Sequence, residues 1–148
     1  MDLVKEFQEK IKQVSTDSKI MIFHDIDADG ISAAVLLSKY FLKRGVSQID
    51  YWYLKDGRRR IDSDLIQKLN KEGYDYFFIL DIAGDEFKEE LKQISSFIFI
   101  VDHHLIVNEL KDLSHVLLIK PQIVDNSRDP STYPTGWFLY NLLKPLFH

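Results

Sequence analysis

Residues 19–30 read KIMIFHDIDADG, and this stretch decides the fold. Its first half is a short apolar run of the kind that is buried on both faces of a parallel sheet, so it predicts a strand over Lys19–His24. Its second half is polar and ends in glycine. The following residues, Ile31–Arg44, carry apolar side chains at helical spacing and end before Gly45. The stretch therefore predicts one strand–loop–helix unit.

Similar units follow along the rest of the chain, without internal repeats or an obvious linker. We predict further strands over 49–54, 76–80, 97–101 and 116–119, and helices over 2–14, 62–71, 85–93, 105–110 and 135–143. Strands that alternate with helices pair in parallel through right-handed crossovers. The predicted fold is α/β and Rossmann-like, with three layers: a mostly parallel five-stranded sheet with helices on both faces.

Length and composition indicate one folded domain. The chain has 148 residues, of which 45% are hydrophobic and 28% charged, and this usage is typical of globular proteins. No apolar run reaches the roughly 18 residues of a membrane span, and the N-terminus lacks the apolar core of a signal peptide. We therefore expect a cytoplasmic protein without a membrane partner.

Cysteine content and net charge exclude further classes. The chain has no cysteine, which excludes disulfides, thiolate nucleophiles and zinc–thiolate sites. Any metal must therefore be held by oxygen and imidazole. The net charge of −4 argues against a wholly basic nucleic-acid binder but leaves room for a local basic patch.

Acidic and histidine side chains follow three of the predicted strands. They are His24, Asp25, Asp27, Asp29, Asp81, Asp102, His103 and His104. Ligands gather beyond the carboxyl ends of the strands in such a sheet. Clustered carboxylates raise one another's pKa, so a bound dication is their natural partner. Carboxylate and imidazole ligands suit Mn²⁺, Mg²⁺ or Zn²⁺, and an Asp-x-Asp loop can hold two ions about 3.5–4 Å apart.

Two other interpretations of the first loop are open. The string Asp25-x-Asp27-x-Asp29-Gly30 matches the start of an EF-hand loop, but the twelfth position is Leu36 instead of glutamate, and the loop follows a strand. The acids could also act only as helix caps. Their occurrence at three strand ends favours a metal site over both. The chain has no Walker loop, GxGxxG or GxSxG motif, which removes the usual nucleotide-binding and serine-hydrolase classes.

Three arginines are candidate phosphate contacts: Arg58, Arg59 and Arg128. Solvated surface loops are the alternative interpretation for each of them. The head of the last predicted helix, Thr135–Gly136, could present backbone N–H groups to an anion, as any helix N-terminus can.

Aromatic side chains alternate along one predicted strand at Tyr51, Trp52 and Tyr53. They could stack on nucleic-acid bases. We predict instead that they belong to the core, because aromatic residues on a buried strand usually do.

The three polar loops together resemble motifs one to three of the DHH phosphoesterase superfamily. Residues 24–30, Asp81 and residues 102–104 carry this resemblance, which spans about residues 19–143. The DxDADG wording and segment 126–136 are most similar to the N-terminal DHH domain of RecJ-like single-strand-specific exonucleases, and we favour the archaeal branch. The resemblance implies hydrolysis of single-stranded DNA or RNA by a water activated between two Mn²⁺ or Mg²⁺ ions.

The resemblance also implies a role for each residue of the three motifs. It implies these metal ligands: His24, Asp27, Asp29, Asp81 as the bridge between the ions, and His103, with Asp25 a ligand or a neighbour. His104 would face the scissile phosphate. Asp102 would orient the histidines, since a carboxylate of that kind fixes an imidazole tautomer.

The sequence departs from the family at its C-terminal end. The family places a fourth-motif aspartate after the helix that corresponds to 135–143, whereas Asp125 and Asp129 lie before it. We expect residues 1–148 to form a single DHH phosphoesterase domain, truncated before the fourth motif and lacking the second, substrate-binding domain. A fragment, a minimal protein completed by a partner, and a degenerate relative all remain open.

Two alternative functions follow. One is a non-catalytic scaffold that binds a replication or repair protein. The other is hydrolysis of small substrates such as pyrophosphate, nano-RNA or cyclic dinucleotides.

Overall fold

The computed structural model describes residues 2–53, 59–127 and 129–147. Five strands form one sheet in the spatial order β2-β1-β3-β4-β5. They are β1 (Lys19–His24), β2 (Gln48–Trp52), β3 (Tyr76–Leu80), β4 (Phe97–Val101) and β5 (Val116–Ile119). Each of the four strand pairs is parallel, so the predicted α/β sheet is confirmed.

Helices cover both faces of this sheet. They are α1 (Leu3–Lys12), α2 (Ala28–Lys43), α3 (Ser63–Lys71), α4 (Lys88–Leu91), α5 (Pro121–Val124) and α6 (Thr135–Leu143). On one face, α1, α2 and α6 pack over a core in which Phe78 and Phe99 stack with their ring centroids 4.6 Å apart. On the other face, Leu65 and Leu69 of α3 and Leu91 of α4 close a second core. These are the three predicted layers.

Aspartate side chains begin three of the helices. The carboxylates of Asp2, Asp27 and Asp62 accept hydrogen bonds from the backbone N–H groups of Lys5, Gly30 and Leu65, at 2.9 Å in each case. Such caps satisfy backbone donors that have no partner within the helix. Asp27 therefore caps α2, and this does not exclude a metal role for the same side chain.

Gly30 allows the first loop to turn tightly onto itself. A Cβ atom at this position would lie 2.2 Å from the carbonyl oxygen of Asp25. Only glycine fits there, because no side chain can share that space. This close approach brings the acidic residues of the loop directly over the end of β1.

Three sequence predictions are wrong in detail. Residues 105–110 are a loop without regular secondary structure instead of a helix, because Val107 and Asn108 donate their N–H groups to the Asp85 carboxylate, at 2.6 and 3.1 Å. Tyr51 and Tyr53 are 47% and 59% exposed, since β2 is an edge strand; Trp52 alone packs partly against a core.

The predicted helix over 85–93 is a 3₁₀ turn, Gly84–Phe87, followed by the single turn of α4. The one-turn helix α5 was not predicted, since four residues show no periodicity.

Candidate metal centre

Three adjacent strands bring the predicted site residues to one edge of the sheet. β1, β3 and β4 are neighbours, and the backbone ladder continues one residue beyond each strand. Asp25 donates its N–H to Leu80 at 3.3 Å, and Asp81 donates to Val101 at 3.0 Å. Asp102 continues the same pattern towards β5. Parallel pairing thus places Asp25, Asp81 and Asp102 side by side at the carboxyl ends of the strands.

Two overlapping groups of side chains at this edge could hold a metal ion. Asp25, Asp27 and Asp81 form one group, and Asp81, His103 and His104 form the other; within each, the ligand atoms lie within 4.8 Å of one another. Asp81 belongs to both groups, and its Oδ1 lies 3.2 Å from Nε2 of His103. Oxygen and imidazole ligands of this kind suit Mn²⁺, Mg²⁺ or Zn²⁺.

Asp81 is the most constrained carboxylate of the centre. It is 2% exposed, and its backbone has φ of +61°, a left-handed conformation that is rare outside glycine. Burial and the charges of Asp29 and Asp27 raise its pKa to about 8, and the Thr135 hydroxyl and His103 oppose the shift. The Thr135 hydroxyl donates to Oδ1 of Asp81 at 3.0 Å. A dication at Asp81 would take the place of this proton.

The pKa of Asp27 is shifted in the opposite direction. The hydrogen bond from the Gly30 N–H lowers it, and burial only partly opposes this effect. The centre thus contains one carboxylate that is readily ionised beside one that keeps its proton near neutral pH. Such opposed shifts are typical of functional sites.

Asp29 is held by the N-terminus of α6. Its two oxygens accept hydrogen bonds from the backbone N–H groups of Thr135 and Gly136, at 2.9 and 2.8 Å. The anion-binding property predicted for this helix end is therefore directed at a carboxylate of the chain itself. Asp29 lies outside both 4.8 Å groups of the described residues, although its Oδ2 is 3.8 Å from Nε2 of His103. Its role as a ligand stays a prediction.

His24 also lies outside both groups. Its Nδ1 is 2.8 Å from the carbonyl oxygen of Asp25, and its ring packs edge-on against Tyr51 with the centroids 6.5 Å apart. The predicted ligand role of His24 thus stays a prediction as well. Asp25, by contrast, is buried within the first group, accepts from the Ile26 N–H at 2.8 Å, and forms an ion pair with Arg59, also at 2.8 Å.

Asp102 contacts both the ring and the backbone N–H of His104. One carboxylate oxygen lies 2.5 Å from Nδ1 of the His104 ring, and the other accepts from the His104 backbone N–H at 3.1 Å. The predicted orienting role of Asp102 has this geometry. The second oxygen also lies 3.0 Å from Nζ of Lys120.

Sequence reasoning missed Lys120, Asp85 and the Thr135 hydroxyl. Lys120 and Asp85 are both fully buried and form an ion pair of 3.0 Å. Burial would raise the pKa of Asp85, but hydrogen bonds from Val107, Lys120 and Asn108 outweigh it and lower the pKa. The one signal in the sequence was position, since Lys120 directly follows a predicted strand at the same edge as the three polar loops.

A cavity of about 440 Å³ adjoins the second ligand group. Its lining includes Arg59, Phe87, His104, Leu105 and Val107. Of the three arginines predicted to contact phosphate, Arg59 therefore lies between the Asp25 carboxylate and this cavity. Arg58 and Arg128 lie outside the described residues.

Comparisons with known proteins find relatives in sequence and in fold. The model of the DHH family, N-terminal domain, matches residues 19–133. The single-stranded-DNA-specific exonuclease RecJ of Bacillus subtilis (strain 168) is 29% identical over 121 residues, which are 77% of this chain and 15% of that protein.

Solved structures share the fold. A manganese-bound exonuclease RecJ superposes with a TM-score of 0.71 at 16% identity, over 99% of this chain and 38% of that one. RecJ of Thermus thermophilus, in complex with Mn²⁺, gives 0.65 at 16% identity, over 97% and 20%. The DHH domain of a member of a ribosomal protein family gives 0.72 at 14% identity, over 96% and 38%. None of the helices that the structure describes has the length and apolarity to cross a membrane.

Proposed function

Since this chain belongs to the DHH family and matches its N-terminal domain, we propose that it hydrolyses phosphodiester bonds in single-stranded nucleic acid, with two Mn²⁺ or Mg²⁺ ions. Membership supports assignment to the phosphoesterases and nucleases. The observation that supports the proposal most is the shared position of Asp81 in two overlapping ligand groups. A carboxylate between two ions is a common arrangement in two-metal hydrolytic sites.

The ligand groups indicate which residues would hold the ions. Asp25, Asp27 and Asp81 would hold one, and Asp81 with His103 the other, with the predicted ligands His24 and Asp29 beside them. Bound Mn²⁺ lowers the pKa of a water and neutralises charge on a phosphate.

Side chains of the protein would position and neutralise the phosphate. Asp102 lies 2.5 Å from Nδ1 of His104, so Nε2 faces away from Asp102 and would face the bound phosphate. Arg59 would exchange its ion pair with Asp25 for a phosphate oxygen once a cation holds that carboxylate.

The substrate proposal depends on what adjoins His104. The cavity beside it combines the Arg59 guanidinium with apolar side chains, including Phe87 and Leu105. A phosphate next to a base would match this pairing of charge and apolar surface. The relative from Bacillus subtilis is specific for single-stranded DNA, and we extend that substrate class to this chain.

Hydrolysis of labelled oligonucleotides tests the proposal. With Mn²⁺ we expect cleavage of a single-stranded oligonucleotide and little cleavage of the matching duplex, and EDTA should abolish it. The Asp27→Asn and Asp81→Asn variants should lose nearly all activity, whereas Asp112→Asn, which changes a surface ion pair with Lys88, should match the unaltered protein.

A panel of pyrophosphate, short oligoribonucleotides and cyclic dinucleotides separates the alternatives. Preferential hydrolysis of one of these would replace the nucleic-acid assignment by the small-substrate one. A protein that neither binds Mn²⁺ in calorimetry nor cleaves any member of the panel would contradict the proposal and favour the non-catalytic scaffold.

Three further predictions from the sequence stay predictions. They are the single truncated domain over residues 1–148, a replication or repair protein as partner, and a cytoplasmic location. The chain spans only 15% of the length of its Bacillus subtilis relative. Affinity capture of the chain from its own cells, followed by fractionation, would test the last two.

A further inference from the structure

Lys120 lies fully buried directly behind the loop that carries Asp102, His103 and His104. A lysine is almost never fully buried unless its charge is paired. The Nζ atom of Lys120 lies 3.0 Å from a carboxylate oxygen of Asp85 and 3.0 Å from one of Asp102. It also donates to the backbone carbonyls of His104 and Leu105, at 2.9 and 3.1 Å. Four oxygens from two loops thus converge on one ammonium group.

Asp85 extends this network to the residues that follow His104 and Leu105. Its second oxygen accepts the backbone N–H groups of Val107 and Asn108, at 2.6 and 3.1 Å, and the Asn108 side chain donates to the Asp85 carbonyl at 2.9 Å. Gln122 adds a further donor to the His104 carbonyl at 2.8 Å. The backbone from His104 to Asn108 is therefore anchored mainly to the Lys120–Asp85 pair.

The contacts of Asp102 connect this network to the imidazole. Oδ1 of Asp102 holds Nδ1 of His104, and Oδ2 faces the Lys120 ammonium and the His104 N–H. The two oxygens are fixed relative to each other, so a cation that holds Oδ2 also fixes the direction of Oδ1. The plane of the carboxylate sets the plane of the ring.

We propose that Lys120 is a positioning residue for His104: it locks the Asp102 carboxylate and the His104 carbonyl, so that the imidazole points at the reacting phosphate. This inference rests on the proposed phosphodiester hydrolysis. The positive charge is essential to it, because a neutral side chain would leave two buried carboxylates without a cation. Simple filling of the space would not require an ammonium group.

Kinetics of the Lys120→Met variant test the proposal in the full chain with Mn²⁺. We expect kcat to fall about 10–100-fold, the range seen when the orienting partner of a site residue is lost. KM for the oligonucleotide should stay within about twofold, since Lys120 touches no substrate surface. The stoichiometry of Mn²⁺ binding should be unchanged. Lys88→Met is the matched control, because Lys88 also holds a loop carbonyl, that of Glu109, outside the network.

A double variant separates an effect on the stability of the fold from an effect on the position of His104. Lys120→Met combined with Asp85→Asn removes a cation and an anion together, so less uncompensated charge remains buried. If the pair only supports the fold, this double variant should keep the kcat of the unaltered protein, and that result would overturn the proposal. A loss of kcat like that of the single variant supports it.

The ¹⁵N resonances of the His104 ring, measured without metal or substrate, separate this inference from the proposed function. In the unaltered protein the proton should reside on Nδ1, facing Asp102, and in Lys120→Met or the double variant the two ring nitrogens should become more alike. Unchanged His104 resonances in a folded variant overturn the inference whether or not the chain hydrolyses anything. If no substrate is cleaved, the proposed function fails, but these spectra still test whether Lys120 positions the His104 ring.

Discussion

Asp81 and Asp85 lie four residues apart after the same strand, both are buried, and their surroundings are opposite. Asp81 faces Asp27, Asp29 and His103, and its pKa is raised to about 8 by burial and by the neighbouring carboxylates. The pKa of Asp85 is lowered despite burial, by backbone N–H groups and Lys120. One carboxylate lacks a fixed counter-charge, and the other has one.

This difference divides the site residues at the sheet edge into two regions. The region around Asp85, Asp102 and Lys120 carries its own cation and needs no ligand to be stable. In the region around Asp25, Asp27 and Asp81, the half-exposed Arg59 pairs with Asp25, whereas the neighbour of Asp81 is the imidazole of His103. A cluster of acids with so little compensation is stable only with protons or a bound dication. We propose that the compensated region supports the site and that the acid-rich region holds the metal ions.

The largest effect on stability should come from removing the internal cation. Lys120→Met leaves Asp85 and Asp102 buried without a counter-charge, and we expect a loss of about 3–5 kcal/mol in the free energy of unfolding, as for other broken buried ion pairs. Urea unfolding at pH 7 measures this. Asp85→Asn in the same chain should recover part of the loss. An unfolding free energy equal to that of the unaltered protein would show that the two regions do not differ in the way described.

Removing Asp81, the carboxylate that belongs to both ligand groups, should affect activity instead. Asp81→Asn should reduce Mn²⁺-dependent hydrolysis by about 1000-fold, because metal stabilisation of the transition state contributes several kcal/mol. Asparagine tolerates the left-handed backbone of this position. Without metal, the variant should be at least as stable as the unaltered protein at pH 8. Activity within tenfold of the unaltered protein would remove Asp81 from the centre.

The raised pKa of Asp81 gives a pH dependence with a definite sign. Its pKa in the folded chain, about 8, lies above the ordinary value of 3.8. The stability that this group contributes is therefore full below pH 3.8 and is lost as the pH rises towards 8. The metal-free protein should thus lose stability over that window.

Mn²⁺ should displace the Asp81 proton. Calorimetry at pH 6.5 in buffers of different ionisation enthalpy should detect close to one proton released per protein, and Asp81→Asn should release fewer. Proton release that is the same in both proteins would contradict the assignment.

The smallest expected effect compares two capping aspartates. Asp27 begins α2 and Asp62 begins α3 with the same 2.9 Å contact. Replacing either by alanine should cost about 1 kcal/mol of stability. Only Asp27→Ala should also lose Mn²⁺ binding, since Asp62 lies away from the ligand groups. Equal Mn²⁺ affinities of the two variants would mean that Asp27 is a cap and nothing more.

Sequence reasoning predicted the parts of this molecule that depend on local patterns. The apolar run Lys19–His24 and the acids behind it require only that the strand be buried and parallel, and both conditions are visible in the residues themselves. The same holds for Asp81 and for residues 102–104, which follow equally apolar runs. Convergence of the three loops then follows from parallel pairing.

The missed features depend on contacts that are distant along the chain. Asp29 accepts hydrogen bonds from Thr135 and Gly136, which follow it by 106 and 107 positions. Nothing near Lys120 in the sequence indicates that Asp85 will neutralise it. Residues 105–110 have a helical pattern of apolar side chains, yet the Asp85 carboxylate offers their N–H groups a better acceptor. Tyr51 and Tyr53 were assigned to the core because the order of strands, which puts β2 at the edge, is a global property.

The contacts of α6 with Asp29 and Asp81 imply an order in which the parts of the site can form. Thr135 and Gly136 supply contacts to both acids, one from each of two loops that are synthesised much earlier. During synthesis, Asp29 and Asp81 would therefore lack the hydrogen bonds from Thr135 and Gly136 until α6 has left the ribosome. Comparing Mn²⁺ retention by chains that end before residue 135 and after residue 143 would show whether α6 is needed to hold the ion.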